Sequence, residues 1–198
     1  MKNPLRFNYI ITIHNKASLI EQLMMHVLMC CHENSHVYPI LDGCTDNSED
    51  IIDKIIAGGN VAPITKVKTP DVHEIRAINA GLAAADIEGD GYNIILQDDV
   101  LLIDHNLESK VQMLYQWRGP RLGFVSFRLG ANLSRDAASS ASDAPFVNLV
   151  ENAYGHGIAN ASVLLPGQFA CRTICIKSPI CLPFKLVRDL GPLEDKLA

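Results

Sequence analysis

The chain has 198 residues, 48% of them hydrophobic and 20% charged, with a formal net charge of -5. That composition describes one globular domain with a substantial core and excludes a disordered or fibrous chain. A mildly acidic balance argues against bulk binding to nucleic acid or an anionic membrane, and no apolar run reaches the ~18 residues of a membrane span.

In chain order, "FNYIITI" (7–13) predicts a short buried strand. Leu19, Ile20, Leu23, Met24, Val27, Leu28 and Cys31 then form a helical stripe, with Ser18 and Glu21 spaced as a capping box at its start. The N-terminal apolar run breaks at His14 and Asn15, which makes a poor signal peptide. "HVYPILD" (36–42) predicts a second strand, followed by a helix carrying Ile51, Ile52, Ile55 and Ile56 and ended by Gly58 and Gly59.

"APITKVK" (62–68) reads as a third, weaker strand, and 72–86 as an alanine-rich helix despite Gly81. Strand four is "GYNIILQ" (91–97), with a helix over 106–117 and a fifth strand over 122–129. Alternation of this kind predicts an α/β domain with a largely parallel sheet. From 130 to 166 the periodicity stops, as in a functional loop, and 168–177 resumes strand character. The six cysteines lack C-x-x-C spacing, and Cys171 and Cys175 on one strand would stand roughly 13 Å apart. Free thiols in a reducing, cytoplasmic compartment are the expectation.

Ligands of open α/β sheets bind at the carboxyl ends of the strands. Four polar clusters fall there: Thr12, His14 and Asn15; Asp42 and Gly43; Arg76 and Asn79; Gln97, Asp98 and Asp99. Turn and cap chemistry accounts for any one of them, but four on one edge describe a crevice. Adjacent carboxylates at the end of a buried strand are costly unless something positive meets them. An arginine, a metal or a substrate are the choices, and hard oxygen ligands select Mg²⁺ or Mn²⁺. A charge cluster ahead of the next helix, with Asp104, is the plain alternative.

Three segments together resemble family 2 glycosyltransferases. "IITIHNKASLIEQLMMHVL" is similar to the family's opening strand and helix, and "ILDGCTDNSEDII" to its Asp-Asp-Gly-Ser-Thr-Asp motif. "INAGLAAADIEGDGYNIILQDDV" resembles its Arg-Asn-x-Gly helix and the strand ending in Asp-x-Asp. The resemblance implies a GT-A fold, in three layers around a mostly parallel sheet, and a nucleotide-sugar donor such as a UDP- or GDP-sugar. It implies that Thr12, His14 and Asn15 line the nucleotide pocket and that Asp42 bonds the base or ribose. Arg76 and Asn79 would sit near the nucleotide or donor sugar, Gln97 and Asp98 near the ribose, and Asp99 on a Mn²⁺ or Mg²⁺ ion.

Leu41, Gln97, Ile78 and His14 depart from the family's usual residues, which leaves the nucleotide open. Residues 1–129 are expected to form the donor half and 130–198 the start of an acceptor half. The resemblance puts the acceptor-side base beyond Ala198, since Glu194 and Asp195 match an earlier motif, so the expectation is a truncated domain. The expected reaction is inverting, metal-assisted transfer to a carbohydrate, lipid-linked or protein acceptor, as in polysaccharide assembly. A nucleotidyltransferase is the other enzyme class, although "HNKAS" lacks the glycines of a triphosphate loop. An inactive nucleotide-sugar-binding module is the non-enzyme reading. His156, Arg128 and Arg135 are lesser candidates, Trp117 a packing residue, and Met24, Met25 and Met29 core filling.

Overall fold

The computed structural model describes residues 5–102, 104–119, 122–126, 130–132 and 179–194. Four strands, β1 (Arg6–Ile13), β2 (Ser35–Asp42), β3 (Val67–Thr69) and β4 (Gly91–Gln97), pair in parallel in the order β3-β2-β1-β4. The chain therefore winds outward from β1 to β3 and then returns to the other side of β1. That reversal between β1 and β4 opens a crevice at the carboxyl end of the sheet.

Helix α1 (Ile20–Cys30) follows β1, α2 (Ser48–Ala57) follows β2, and α3 (Glu74–Ala84) follows β3. Beyond β4 come β5 (Val100–Leu102), α4 (Leu107–Arg118), β6 (Val125–Ser126), β7 (Gly130–Asn132), β8 (Ile180–Pro183) and α5 (Phe184–Leu190). Strand β8 joins the main sheet antiparallel to both β4 and β6, while β5 and β7 form a separate antiparallel pair.

The period-2 alternation of each strand divides the core into two layers. Phe7, Tyr9, Ile11 and Ile13 of β1 meet Leu23, Met24 and Val27 of α1, Ile52 of α2 and Val111 of α4. Ile10, Tyr38 and Ile40 point the other way, toward Ala77, Ile78 and Leu82 of α3. The approach of α3 depends on Gly81, where a Cβ would lie 2.7 Å from Ile10 Cγ2 and 2.8 Å from Ile40 Cδ1. The glycine that weakens the helix in isolation is what seats it on the sheet.

Several sequence expectations are corrected here. Helix α1 has Leu19 at its N-cap and no side-chain cap, so the Ser18–Glu21 capping box does not form. The Leu19 and Ile20 N–H groups bond instead to the Lys16 carbonyl, at 2.9 and 3.0 Å. The third strand is only Val67–Thr69, with an isolated bridge between Val37 and Ile64. Within the predicted fifth strand the described pairing is Val125–Ser126, and Gly130–Asn132 pair with β5 where no periodicity is visible. Three-residue strands are decided by partners rather than by local pattern. Residues 168–177, Cys171, Cys175, Arg128, Arg135 and His156 lie outside the described residues. Cys30, Cys31, Cys44 and Cys181 are free thiols. Met24 is core as expected, whereas Met25, Met29 and Trp117 are exposed.

Candidate functional site

An open cleft of about 380 Å³ lies over the switch point, lined by Thr12, Ile13, His14, Asp42, Asp71, His73, Glu74, Gln97 and Asp98. Register brings the strand ends level, with Thr12 opposite both Ile40 and Gln97, and Asp42 opposite Thr69. Thr12, His14, Asp42, Gln97 and Asp98, all singled out in the sequence, are thus brought together. Asn15, Arg76, Asn79 and Asp99 are not among the lining residues.

Asn15 ties the two loops below the cleft. Its Oδ1 accepts the Thr45 and Asp46 N–H groups at 2.8 and 3.2 Å, while its Nδ2 reaches His14 Nε2 at 3.2 Å. Asp46 completes the tie by accepting the Ala17 N–H at 2.8 Å. Because the Asn15 oxygen already serves two donors, its amide nitrogen must donate, and His14 Nε2 must accept. His14 Nδ1 is then the protonated nitrogen, donating to the Asp42 carbonyl at 2.7 Å. The tautomer is fixed by partners on both sides.

Asp42 is 5% exposed, and its Oδ1 accepts from both Thr69 Oγ1 and the Val72 N–H at 2.7 Å. Asp71 stands beside it because Gly43 leaves no side chain in between. One ligand-type atom each from His14, Asp42 and Asp71 lie within 4.8 Å of one another. Asn15, Asp71 and His73 have φ of 50°, 48° and 66°, the only positive values of non-glycine residues among those described. At His73, φ 66° with ψ 164° is a region all but reserved for glycine. All three strained residues sit on or beside the cleft. Asp71, His73 and Glu74 were missed in the sequence, although "TPDVHE" is a polar, Pro-containing run directly after β3.

Asp98 Oδ2 accepts the His14 N–H at 2.9 Å, and Lys16 Nζ stands 3.7 Å from Oδ1. Burial raises the Asp98 pKa above the ordinary carboxylate value, and neighbouring Asp99 pushes it the same way. The His14 N–H and Lys16 act in the opposite direction. In the described structure the positive charge that meets Asp98 is therefore a lysine. Two adjacent carboxylates, one mostly desolvated, remain a donor set that fits a hard divalent cation. His14 is a poorer ligand, since both ring nitrogens are already bonded.

Asn79 of α3, outside the cleft lining, uses both ends of its amide on one residue. Nδ2 donates to the Leu193 carbonyl at 2.9 Å and Oδ1 accepts the Leu193 N–H at 2.8 Å.

The sequence model of the Glycosyl transferase family 2 matches residues 9–121, more than half the chain and every residue that lines the cleft. The chain belongs to glycosyl transferase family 2. No curated protein matches its sequence. Among solved structures it is similar to the mannosyltransferase PcManGT from Pyrobaculum calidifontis in complex with GDP-Man and Mn²⁺, at 20% identity and TM-score 0.54. That match covers 62% of this chain and 35% of the mannosyltransferase. It is also similar to residues 1–349 of S. aureus TarS in complex with UDP, at 17% identity and TM-score 0.60, covering 93% of this chain and 48% of that one. The shared feature is the GT-A fold of a family 2 member, with its α/β layers and largely parallel sheet. This family 2 chain spans about a third to a half of the length of those two structures. No described helix is long and apolar enough to cross a membrane.

Proposed function

We propose that this chain carries the donor-binding site of a glycosyltransferase that moves a sugar from a nucleoside-diphosphate sugar to an acceptor hydroxyl with inversion. The observation that carries the reading is the cleft at the β1/β4 switch point, lined by Thr12, His14, Asp42, Gln97 and Asp98 inside the region that matches the family. The nucleobase occupies the end between His14, Asp42 and Asp71, with Thr12 at its floor. Gln97 and Asp98 face the ribose, since a side-chain amide and a carboxylate both bond hydroxyls. Arg76, exposed on α3, lies toward the sugar side.

Asp99 would hold a Mn²⁺ or Mg²⁺ ion, which supplies Lewis-acid stabilisation of the leaving diphosphate when bound. Lys16 holds Asp98 in place and adds positive charge near the diphosphate. The chain's own part is positioning: strand ends fixed by register keep base, ribose and diphosphate in one line. Residues 1–129 form the donor half in this proposal, and the acceptor, whether carbohydrate, lipid-linked or protein, is met by 130–198 and by chain outside it. Among the described residues none is assigned as the base that takes the hydroxyl proton.

The test is a thermal-shift titration with UDP and GDP, each with and without Mn²⁺. A ligand that binds only the folded state at a hundredfold excess over Kd adds about 2.7 kcal/mol of apparent stability. A metal-dependent shift that is lost in Asp99→Ala is the expected result. No shift with either nucleotide, with or without metal, would overturn the proposal and leave "QDD" as a structural charge cluster.

A further inference from the structure

We infer that the base end of the cleft selects guanine over uracil, through the paired carboxylates of Asp42 and Asp71. The inference rests on the donor-binding reading above and goes one step further, to the chemical class of the nucleotide.

Asp42 and Asp71 bring acceptors to this end, with His73 beside them on the cleft wall. Asp42 is almost fully buried, and both of its hydrogen bonds from Thr69 and Val72 fall on Oδ1. Oδ2 takes part in neither. An ionised Asp71 presents only acceptors as well, and it lies with Asp42 and His14 inside a 4.8 Å triangle. The proton on His14 Nδ1 is spent on the Asp42 carbonyl, and Nε2 takes the Asn15 amide. The imidazole therefore brings no N–H to a base. Glu74, at the start of α3, adds a third carboxylate to the same wall.

The backbone has been bent to keep this pair together. Asp71 adopts φ 48°, and a Cβ on Gly43 would meet Asp71 Cβ at 2.4 Å. Two carboxylates held this close repel each other unless something between them donates protons. Guanine presents two adjacent N–H bonds on its Watson–Crick edge, at N1 and N2, with a second N2–H turned toward N3 and its single carbonyl oxygen, O6, at the far end. Those bonds span two carboxylate groups and offset their repulsion. Uracil presents a single N3–H flanked by two carbonyl oxygens, and either oxygen would face a carboxylate. Cytosine and adenine offer an amino group beside an unprotonated ring nitrogen, which again sets acceptor against acceptor. A pair of carboxylates discriminates against a base whose edge is mostly acceptors, because the mismatched groups lose water without gaining a partner.

Isothermal titration of the full chain with GDP, UDP, CDP and ADP, at one fixed Mg²⁺ concentration, tests this. GDP is expected to bind tighter than UDP by roughly tenfold or more, the discrimination of one good bidentate contact. In Asp71→Asn the GDP/UDP ratio should fall at least several-fold through weaker GDP binding. Asparagine tolerates the left-handed backbone at this position, and the melting temperature of the unliganded variant checks its fold. Equal or tighter binding of UDP overturns the guanine inference and leaves the donor-binding reading standing. A GDP preference that Asp71→Asn does not change overturns the assignment to the carboxylate pair. No binding by any of the four nucleotides overturns the donor-binding reading itself, and this inference with it.

Discussion

Gly43 and Asp71 touch so closely that a Cβ on the glycine would stand 2.4 Å from the Cβ of the aspartate. The contact joins the loop after β2 to the loop after β3, and a 2.8 Å bond from the Gly43 N–H to the Thr69 carbonyl reinforces it. Gly43 also has φ 58°, where a side chain adds strain of its own. Gly43→Ala should therefore cost at least about 2 kcal/mol, from left-handed backbone and steric overlap together. Urea denaturation reads the stability loss. Nucleotide titration should show a further loss of affinity, because the overlap is relieved by moving Asp71 away from Asp42.

Gly81 makes the opposite use of a missing side chain, in the middle of a helix. Alanine there gains about 1 kcal/mol of helix propensity. Its methyl group, however, would meet Ile10 and Ile40 at 2.7 and 2.8 Å, and overpacking costs about 1–3 kcal/mol. Gly81→Ala is expected to be destabilising by denaturant titration. It should also weaken nucleotide binding, since α3 carries Glu74 on the cleft wall. A stabilised variant would show that α3 is not seated by this contact.

Glu108 is buried on α4, accepting from Tyr9 Oη at 2.9 Å and Ser35 Oγ at 2.6 Å. Burial is the main influence and raises its pKa above the ordinary 4.5, against the two hydrogen bonds. A raised pKa means that the folded state favours the protonated acid. Its contribution to stability is fully present below 4.5 and is lost as pH rises through the folded value. Glu108→Gln should flatten the dependence of stability on pH from that point toward neutrality, as measured by urea midpoints across the range. The Arg6–Asp86 ion pair belongs to a different window. Beside Arg6 the Asp86 pKa falls from 3.8 to about 2, so its contribution is present above 3.8 and lost only in stronger acid.

Asn79 holds the Leu193 backbone at both its donor and its acceptor. Asn79→Ala removes two hydrogen bonds and should cost about 1–3 kcal/mol. If the amide acts only as this strut, nucleotide affinity measured well below the melting temperature changes less than twofold. A large loss of affinity in a folded variant would return Asn79 to the donor side, where the family resemblance put it.

Most of the sheet was legible in the sequence. The runs at 7–13, 36–42 and 91–97 alternate or stay apolar over a strand's length, and the observed strands Arg6–Ile13, Ser35–Asp42 and Gly91–Gln97 nearly coincide with them. The strands that escaped notice, β5, β7 and β8, are three or four residues long. Segments of that length carry too few residues to show a period, and their state is set by the strand beside them. The site followed the same division. Thr12, His14, Asp42, Gln97 and Asp98 stood out because polar residues directly follow apolar runs. Asp71 and His73 did not, because the strand before them is too short to flag its own end.

By itself, then, the sequence determined which faces of the main strands and helices are apolar, the α/β alternation that follows, and the edge of the sheet at which polar residues gather. Those properties are local, since one period of side-chain polarity is enough to express them. Only the tertiary structure decided that Lys16 meets Asp98, that Asn15 locks the His14 tautomer, and that Asp71 stands against Asp42. These pairings join residues on different loops, and strand register together with close approach at Gly43 and Gly81 fixes them. Register and approach are consequences of the packed core as a whole, so no single segment of the chain encodes them.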